Sequence, residues 1–164
     1  MSTGGFSRFL LITALAAGLA GCGLPRDPEQ ASERIEGKVL RAGVSENPPW
    51  IRFEGAAVTG VEADLIRTIA ADVGARVEWR RGGESALMKS LKENQLDLVA
   101  GGVTTQSPWS RELGATQPYL DFAGEKHLVL APPGENRWIT RIDRVVQAHR
   151  QQIAGWAAAE TARR

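Results

Sequence analysis

The feature that most constrains the fold is a regular alternation of strand-like and helix-like apolar patterns. Strands are predicted at residues 38–45, 76–80 and 95–99, of which 76–80 alternates apolar and charged side chains. The helical spacing of apolar residues predicts helices between them, over 61–73 and 84–94. Connections of this length favour parallel strands, right-handed crossovers and helices on both sheet faces. The predicted fold class is therefore α/β, a single three-layer lobe with a mostly parallel sheet.

The rest of the chain is expected to complete this sheet. Residues 126–131 are predicted to form a further strand, which stops at Pro132, Pro133 and Gly134, and one strand of the sheet is expected to be antiparallel. From residue 136 to 156, apolar residues recur at helical spacing, and the opposite side of that helix is rich in arginine. The pattern predicts one long C-terminal helix. Its end, residues 151–164, is expected to fray.

The first residues differ in character from the lobe. Arg8 precedes an apolar stretch too short to span a bilayer, and residues 19–22 (LAGC) match a bacterial lipobox. We therefore predict a signal peptide over residues 1–21, a lipidated (palmitate-bearing) Cys22 and a tether over 22–37, followed by the lobe at 38–150. Cys22 is the only cysteine, so an internal disulfide and a thiolate zinc cluster are excluded. The alternative is a small apolar residue that merely ends a hydrophobic segment.

Composition limits the remaining classes of function. The 164 residues leave room for one ordinary domain and its tails. The 20 basic and 19 acidic side chains are spread through the sequence, so nucleic-acid binding is not expected. His127 and His149 have no cysteine, serine or acidic partner at a telling spacing, so we expect no metal, no cofactor and no catalysis. Both histidines are interpreted as packing or surface residues.

Five segments occur in one order and spacing across the predicted lobe. They are 39–44, 48–50 (PPW), 60–65 (GVEADL), 95–102 (QLDLVAGG) and 116–119 (TQPY). In this the chain resembles the family-3 solute-binding proteins of bacterial ABC importers. The resemblance implies a type II periplasmic-binding-protein fold, capture of a small polar, amino-acid-like solute, and an ABC permease as partner. It also implies a place in the periplasm or cell envelope, with membrane anchoring through Cys22. The family's second lobe is missing, since only a few residues separate Tyr119 from Lys126.

Residue types alone point to a site beyond the carboxyl ends of the predicted strands, where open parallel sheets bind ligands. Gly101 and Gly102 let backbone amides approach a ligand, Thr104 and Thr105 offer hydroxyls, and Trp50 supplies an apolar wall. A structural interpretation of the same residues stays open. The glycines then form a tight turn, the threonines cap the next segment and Trp50 fills the core.

The resemblance supports Thr104 and adds three further candidate positions, Asn47, Trp109 and Arg111. Thr104 matches a position whose hydroxyl contacts solute in the family. The family's arginine clamp for a carboxylate falls at Trp109, and Arg111 lies two residues later, where it points either into the site or away from it. Asn47 falls where an aromatic residue commonly stacks on the solute. An α-amino-acid ligand is therefore an expectation of the family.

Alternative functions follow from the missing lobe. One is an interaction module of the cell envelope that docks through Trp50, Trp109 and the sheet edge. Another is a truncated remnant without ligand binding. A homodimer that faces two lobes across a twofold axis would bury the exposed surface. Some enzymes share this fold, so catalysis stays among the alternatives, and it ranks last.

Overall fold

The computed structural model of the chain describes residues 28–162. The signal peptide and Cys22 lie outside these residues and stay predictions. Within the described part, no helix is both long and apolar enough to cross a membrane. The elements in chain order are α1 (Ala31–Ile35), β1 (Val39–Val44), β2 (Arg52–Glu54), β3 (Ala57–Thr59), α2 (Val61–Asp72), β4 (Arg76–Arg81), α3 (Glu84–Lys92), β5 (Leu98–Ala100), α4 (Trp109–Glu112), β6 (Gly114–Ala115), β7 (Leu120–Phe122), β8 (Glu125–His127), β9 (Leu130–Ala131), α5 (Asn136–Ala148) and α6 (Arg150–Ala162).

A five-stranded mixed sheet forms the centre of the lobe, with strand order β4-β1-β5-β9-β6. Strand β1 pairs in parallel with β4 and with β5, as the alternating pattern predicts. Strand β9 is antiparallel to β5 and to β6. The carboxyl ends of β1 and β5 therefore meet at one edge of the sheet, which we call the carboxyl edge.

Two apolar clusters cover the faces of this sheet and give the three predicted layers. The larger cluster joins α1, α2, α5 and α6 to one face, with Leu40, Ile66 and Trp138 fully buried. The smaller cluster packs α3 against the other face through Met88 and Leu91. The predicted α/β class and three-layer lobe are confirmed. Burial on both faces explains why β1 and β5 are predominantly apolar or small rather than alternating.

Strands β7 and β8 form a hairpin at the point where the sequence resemblance places the missing lobe. Leu120 pairs with His127 and Phe122 with Glu125. The two residues between the strands, Ala123 and Gly124, have φ of 53° and 80°. Two consecutive positive φ angles are what a type I′ turn requires, and that turn matches the twist of a two-residue hairpin. The chain therefore crosses this point through a regular turn.

Four assignments differ from the sequence predictions. Residues 31–35, assigned to the tether, form α1, because Ala31 and Ile35 are fully buried and belong to the core. The strand expected over 126–131 is divided into β8 and β9, since its first part pairs with β7 and its second with β5 and β6.

The long C-terminal helix is two helices, α5 and α6, separated at His149. The end expected to fray is helical to Ala162, because Ile153 and Ala157 are buried in the larger cluster. Arg150 Nε donates to the Tyr119 carbonyl at 3.2 Å, and an Arg52–Glu160 ion pair holds the far end of α6.

Asp97 lies at the opposite edge of the sheet, which we call the amino edge, and holds α1 against it. Its carboxylate is fully buried and accepts hydrogen bonds from Arg34 Nη1 and Arg41 Nη2, each at 2.6 Å, and from the Arg41 amide at 2.7 Å. Nearby, the buried Glu135 carboxylate accepts the Ala31 amide at 3.1 Å and so caps α1. Helix α1 is thereby fastened where β1 and β5 begin.

Candidate functional site

A cleft of ≈ 260 Å³ opens at the carboxyl edge, where open parallel sheets bind ligands. It lies between the loops that follow β1 and β5, the start of α3 and the β8 strand. The residues lining it are Ser45, Asn47, Glu84, Gly101, Gly102, Val103, Thr104, Ser107, Pro108 and Glu125. Four of the residues predicted from the sequence, Asn47, Gly101, Gly102 and Thr104, are thus brought together.

One peptide group, between Gly101 and Gly102, is held at both ends. Asn47 Nδ2 donates to the Gly101 carbonyl at 2.9 Å, and the Gly102 amide donates to Glu62 Oε2 at 2.8 Å. Gly102 has φ of 77°, and a Cβ there would lie 2.5 Å from Trp50 Cδ1. Glycine is therefore required by both the backbone conformation and the close approach of the indole.

Trp50 supports this loop from within the protein. It is only 5% exposed, lies in the larger apolar cluster and does not line the cleft. Its ring packs on His127 and Phe122, with centroids 3.9 Å and 5.4 Å away. The structural interpretation of Trp50 as a core residue is the one the structure favours, because its indole contacts Gly102 from below rather than forming an open wall.

The other three candidates lie outside the cleft. The Thr105 amide donates to the Lys126 carbonyl at 2.9 Å, which continues the pairing of the loop with β8, and its side chain is exposed. Trp109 is half-buried against the smaller apolar cluster. Arg111 is exposed on α4 and does not line the cleft. Neither Trp109, at the position of the family's carboxylate clamp, nor Arg111, two residues later, lines the cleft.

The charge of the cleft is acidic. Its ten lining residues, all in the described part of the chain, include Glu84 and Glu125 and no lysine or arginine. Sequence reasoning did not name Glu84 or Glu125 as site residues, since Glu84 begins a predicted helix and Glu125 lies in a connecting segment. The signal that could have found Glu84 is its position three residues after the end of β4, at the same edge as Gly101.

Larger depressions lie elsewhere, and the following two fit a ligand less well. The groove of ≈ 420 Å³ between α1 and α5 contains Arg137 and Arg141, but Glu33 and Glu36 pair with these guanidinium groups at 3.2 Å and 3.4 Å. The other, of ≈ 390 Å³, lies between β4 and α3 beside Arg80. Neither lies at the convergent ends of parallel strands. Within residues 28–162, no group of three or more metal-ligating side chains is placed to hold a metal ion.

The family model for bacterial extracellular solute-binding proteins, family 3, matches residues 40–154. The chain belongs to this family. Among curated proteins, a probable amino-acid-binding protein of Bacillus subtilis, YxeM, is 25% identical over 121 residues, which are 73% of this chain and 44% of that protein. Membrane-bound lytic murein transglycosylase F of Vibrio cholerae is 28% identical over 114 residues, 68% of this chain and 22% of the enzyme. The chain thus spans less than half the length of either relative.

Solved structures confirm the single-lobe fold. The arginine-bound form of domain 1 of the arginine-binding protein TmArgBP superimposes with a TM-score of 0.61 at 21% identity, covering 67% of this chain and 92% of that one. An arginine-specific periplasmic binding protein of Salmonella typhimurium gives a TM-score of 0.66 at 8% identity, covering 75% of this chain and 99% of that one. At these identities the comparison shows the fold alone.

Proposed function

We propose that this chain is a solute-binding lobe that captures a small polar solute, of the amino-acid type, in the cleft at its carboxyl edge. The observation that carries the proposal is the convergence of Asn47, the Gly101–Gly102 peptide and Thr104 around one cleft in a member of a solute-binding family. A neighbour of the same fold, an isolated domain 1, is described as arginine-bound, which supports binding by one lobe.

The lining residues favour a solute that carries a positive group. Glu84 and Glu125 offer carboxylates, while the clamp position is occupied by Trp109, which packs away from the cleft. An ammonium or guanidinium group would gain charge-assisted hydrogen bonds from either carboxylate. We therefore rank basic amino acids and polyamines above acidic solutes.

The test is a thermal-shift and calorimetric screen of the purified protein against amino acids, small carboxylates and polyamines. Selective binding to the folded state raises the melting temperature by mass action. We expect a saturable shift with a cationic solute and none with a dicarboxylate. A cooperative melt that no solute shifts would reject the proposal.

Two matched variants locate the site. Thr104→Ala should weaken binding of the solute about tenfold, the equivalent of about 1.4 kcal/mol for one lost hydrogen bond. Thr140→Ala removes a hydroxyl on α5 that bonds only within its own helix, to the Asn136 carbonyl at 2.7 Å, and should leave affinity unchanged. Equal affinities for both variants would place the solute elsewhere.

Delivery to an ABC permease from a lipid anchor at Cys22 is a further part of the proposal. It is supported by the lipobox at residues 19–22 and by the family of the lobe. Metabolic labelling with a fatty acid should mark the wild-type protein and fail with Cys22→Ser.

A homodimer stays a proposal as well, and a monomer in sedimentation at high concentration would reject it.

A second candidate is a binding module that acts on a partner protein rather than on a transporter. It is favoured by the similarity to part of a murein transglycosylase, a relative in which the matching segment is 22% of the whole. Capture by crosslinking in intact cells of one specific envelope protein, combined with no solute in the screen, would favour this candidate. We propose a binding role and no catalysis for both.

A further inference from the structure

Glu62 is a buried acid that no sequence argument assigned to the site. It is the second residue of α2, it is fully buried, and its two oxygens have different partners. Oε2 accepts the Gly102 amide at 2.8 Å, and Oε1 accepts the Tyr119 hydroxyl. No basic side chain within residues 28–162 forms an ion pair with it. Burial raises the pKa of Glu62 above its ordinary value of 4.5, and these hydrogen bonds oppose the rise.

A carboxyl group is a costly choice for a position that only has to fill space. Burying an acid without a paired cation opposes folding, and an apolar residue or glutamine would avoid that cost. The carboxylate at position 62 therefore has a role in what it does to its hydrogen-bond partners. Glu62 accepts the N–H of the same peptide group whose C=O accepts Asn47 Nδ2. The plane of the Gly101–Gly102 peptide is thus set from two sides.

The orientation of this peptide decides what the cleft presents. Because the Gly102 N–H is directed at Glu62, it points into the protein and not into the cleft. The same orientation of the peptide sets the path of the backbone from Gly102 to Thr104. Glycine would otherwise permit the peptide to rotate, because Gly101 and Gly102 both occupy backbone regions that other residues avoid, with φ of 153° and 77°. A rotated peptide would turn its N–H into the cleft and move the Thr104 backbone.

Tyr119 holds Glu62 in place. It is 1% exposed and directly precedes β7, so the hydroxyl links the cleft loop to the β7–β8 hairpin. Burial and the adjacent Glu62 carboxylate both raise the pKa of Tyr119 well above its ordinary value. The hydroxyl therefore stays protonated and keeps donating to Glu62 over the range in which proteins are stable.

We infer that Glu62 is a positioning residue of the cleft, which fixes the Gly101–Gly102 peptide and is itself fixed by Tyr119. This inference rests on the proposed function only for its effect on solute affinity. The orientation of the peptide is a property of the protein without solute, and it is measured separately.

The experiment compares Glu62→Gln with Asp64→Asn, two neutralisations on the same helix. Asp64 is exposed, pairs with Arg67 at 2.8 Å and does not line the cleft. The first readout is the NMR chemical shift and hydrogen-exchange protection of the Gly102 amide. We expect an upfield shift and weaker protection in Glu62→Gln, because a neutral acceptor binds the amide less strongly, and no change in Asp64→Asn. The second readout is titration with L-arginine, for which Glu62→Gln should bind about tenfold more weakly, about 1.4 kcal/mol.

A folded Glu62→Gln protein with the Gly102 amide shift of the wild type would overturn the inference. If Glu62→Gln does not fold, Tyr119→Phe decides, since loss of its hydroxyl must also move the Gly102 resonance, and an unmoved resonance overturns the inference. If the wild type binds no L-arginine, the choice of solute fails while the Gly102 amide still tests positioning.

Discussion

Trp50 and His127 lie ring against ring beneath the cleft, with centroids 3.9 Å apart and planes inclined by 36°. His127 is 4% exposed, and its Nδ1 is buried without a hydrogen-bond partner among the described residues. Burial lowers the pKa of His127 below its ordinary value of 6.5, and the carboxylates of Glu125 and Asp121 oppose this only in part. The imidazole is therefore held neutral against the indole.

This contact predicts a loss of stability in mild acid. The unfolded chain binds the His127 proton more tightly than the folded protein does, so the stabilisation is present above about pH 6.5 and is lost as the pH falls towards the lowered pKa. Urea unfolding between about pH 7 and about pH 5 should show this slope, and His127→Gln should remove it. His149→Gln is the control and should keep the slope. A wild-type slope in His127→Gln would contradict the assignment.

The β7–β8 turn predicts a stabilising substitution. Ala123 has φ of 53°, a left-handed conformation that an alanine side chain disfavours and that asparagine tolerates. Ala123→Asn followed by Gly124 gives the preferred type I′ pair, so we expect a gain of about 0.5–1 kcal/mol in the free energy of unfolding.

The control for this substitution is Ala56→Asn. Ala56 is also exposed in a hairpin turn, between β2 and β3, but it does not have a positive φ. No gain is expected there. Equal effects of the two substitutions in urea unfolding would show that the conformation of Ala123 is not their cause.

The Asp97 cluster predicts a large loss of stability. Asp97→Asn removes the carboxylate from Arg34 and Arg41, which keep 36% and 27% of their side-chain surface in solvent. We expect a loss of about 2–3 kcal/mol, below the range for a fully buried pair, because solvent still reaches both guanidinium groups. Glu93→Gln disrupts an exposed pair with Lys89 at 3.9 Å and should cost less than about 0.5 kcal/mol. Chemical unfolding of the two variants, side by side, measures the difference.

The cleft loop predicts unequal effects of two glycine substitutions. Gly102→Ala places a methyl group against Trp50 at a positive φ and should cost about 1–3 kcal/mol. Gly83→Ala meets no atom within 4 Å and has φ of −72°, so its cost should stay below about 1 kcal/mol. Thermal unfolding measures both. A tolerated Gly102→Ala would show that the loop can move away from Trp50.

The helices and strands that the sequence predicted are those whose apolar pattern is local. The spacing of Leu65, Ile66 and Ile69 is sufficient to predict α2, and the apolar run before Gly101 is sufficient for β5. The β2–β3 hairpin was missed because its three-residue strands are too short to show a period. Its stability comes partly from a distant residue, Arg81, whose guanidinium donates to the carbonyls of the turn at 2.6–2.9 Å.

The candidate site was predicted only in part, because some of its residues follow a local pattern and others depend on contacts with distant residues. Gly101 and Thr104 follow a predicted strand, so their position at the carboxyl edge was accessible from the sequence. The sequence around Trp50 fits a cleft wall and a core residue equally well. Only the contact of its ring with His127 in the structure decides between these two interpretations. The role of Glu62 was not accessible from the sequence, because its partners Gly102 and Tyr119 lie 40 and 57 residues away along the chain. No spacing rule links residues so far apart.

The fastening of α1 at the amino edge separates the entry of the chain from the cleft by the length of β1, about 20 Å for six residues. A force or a surface attached upstream of residue 28 therefore acts on the lobe from the side opposite the cleft, through Arg34, Asp97 and Glu135. For a biosensor, immobilisation through the N-terminal side would leave the cleft facing the solution. Coupling through Lys126, next to the cleft residue Glu125, would obstruct it.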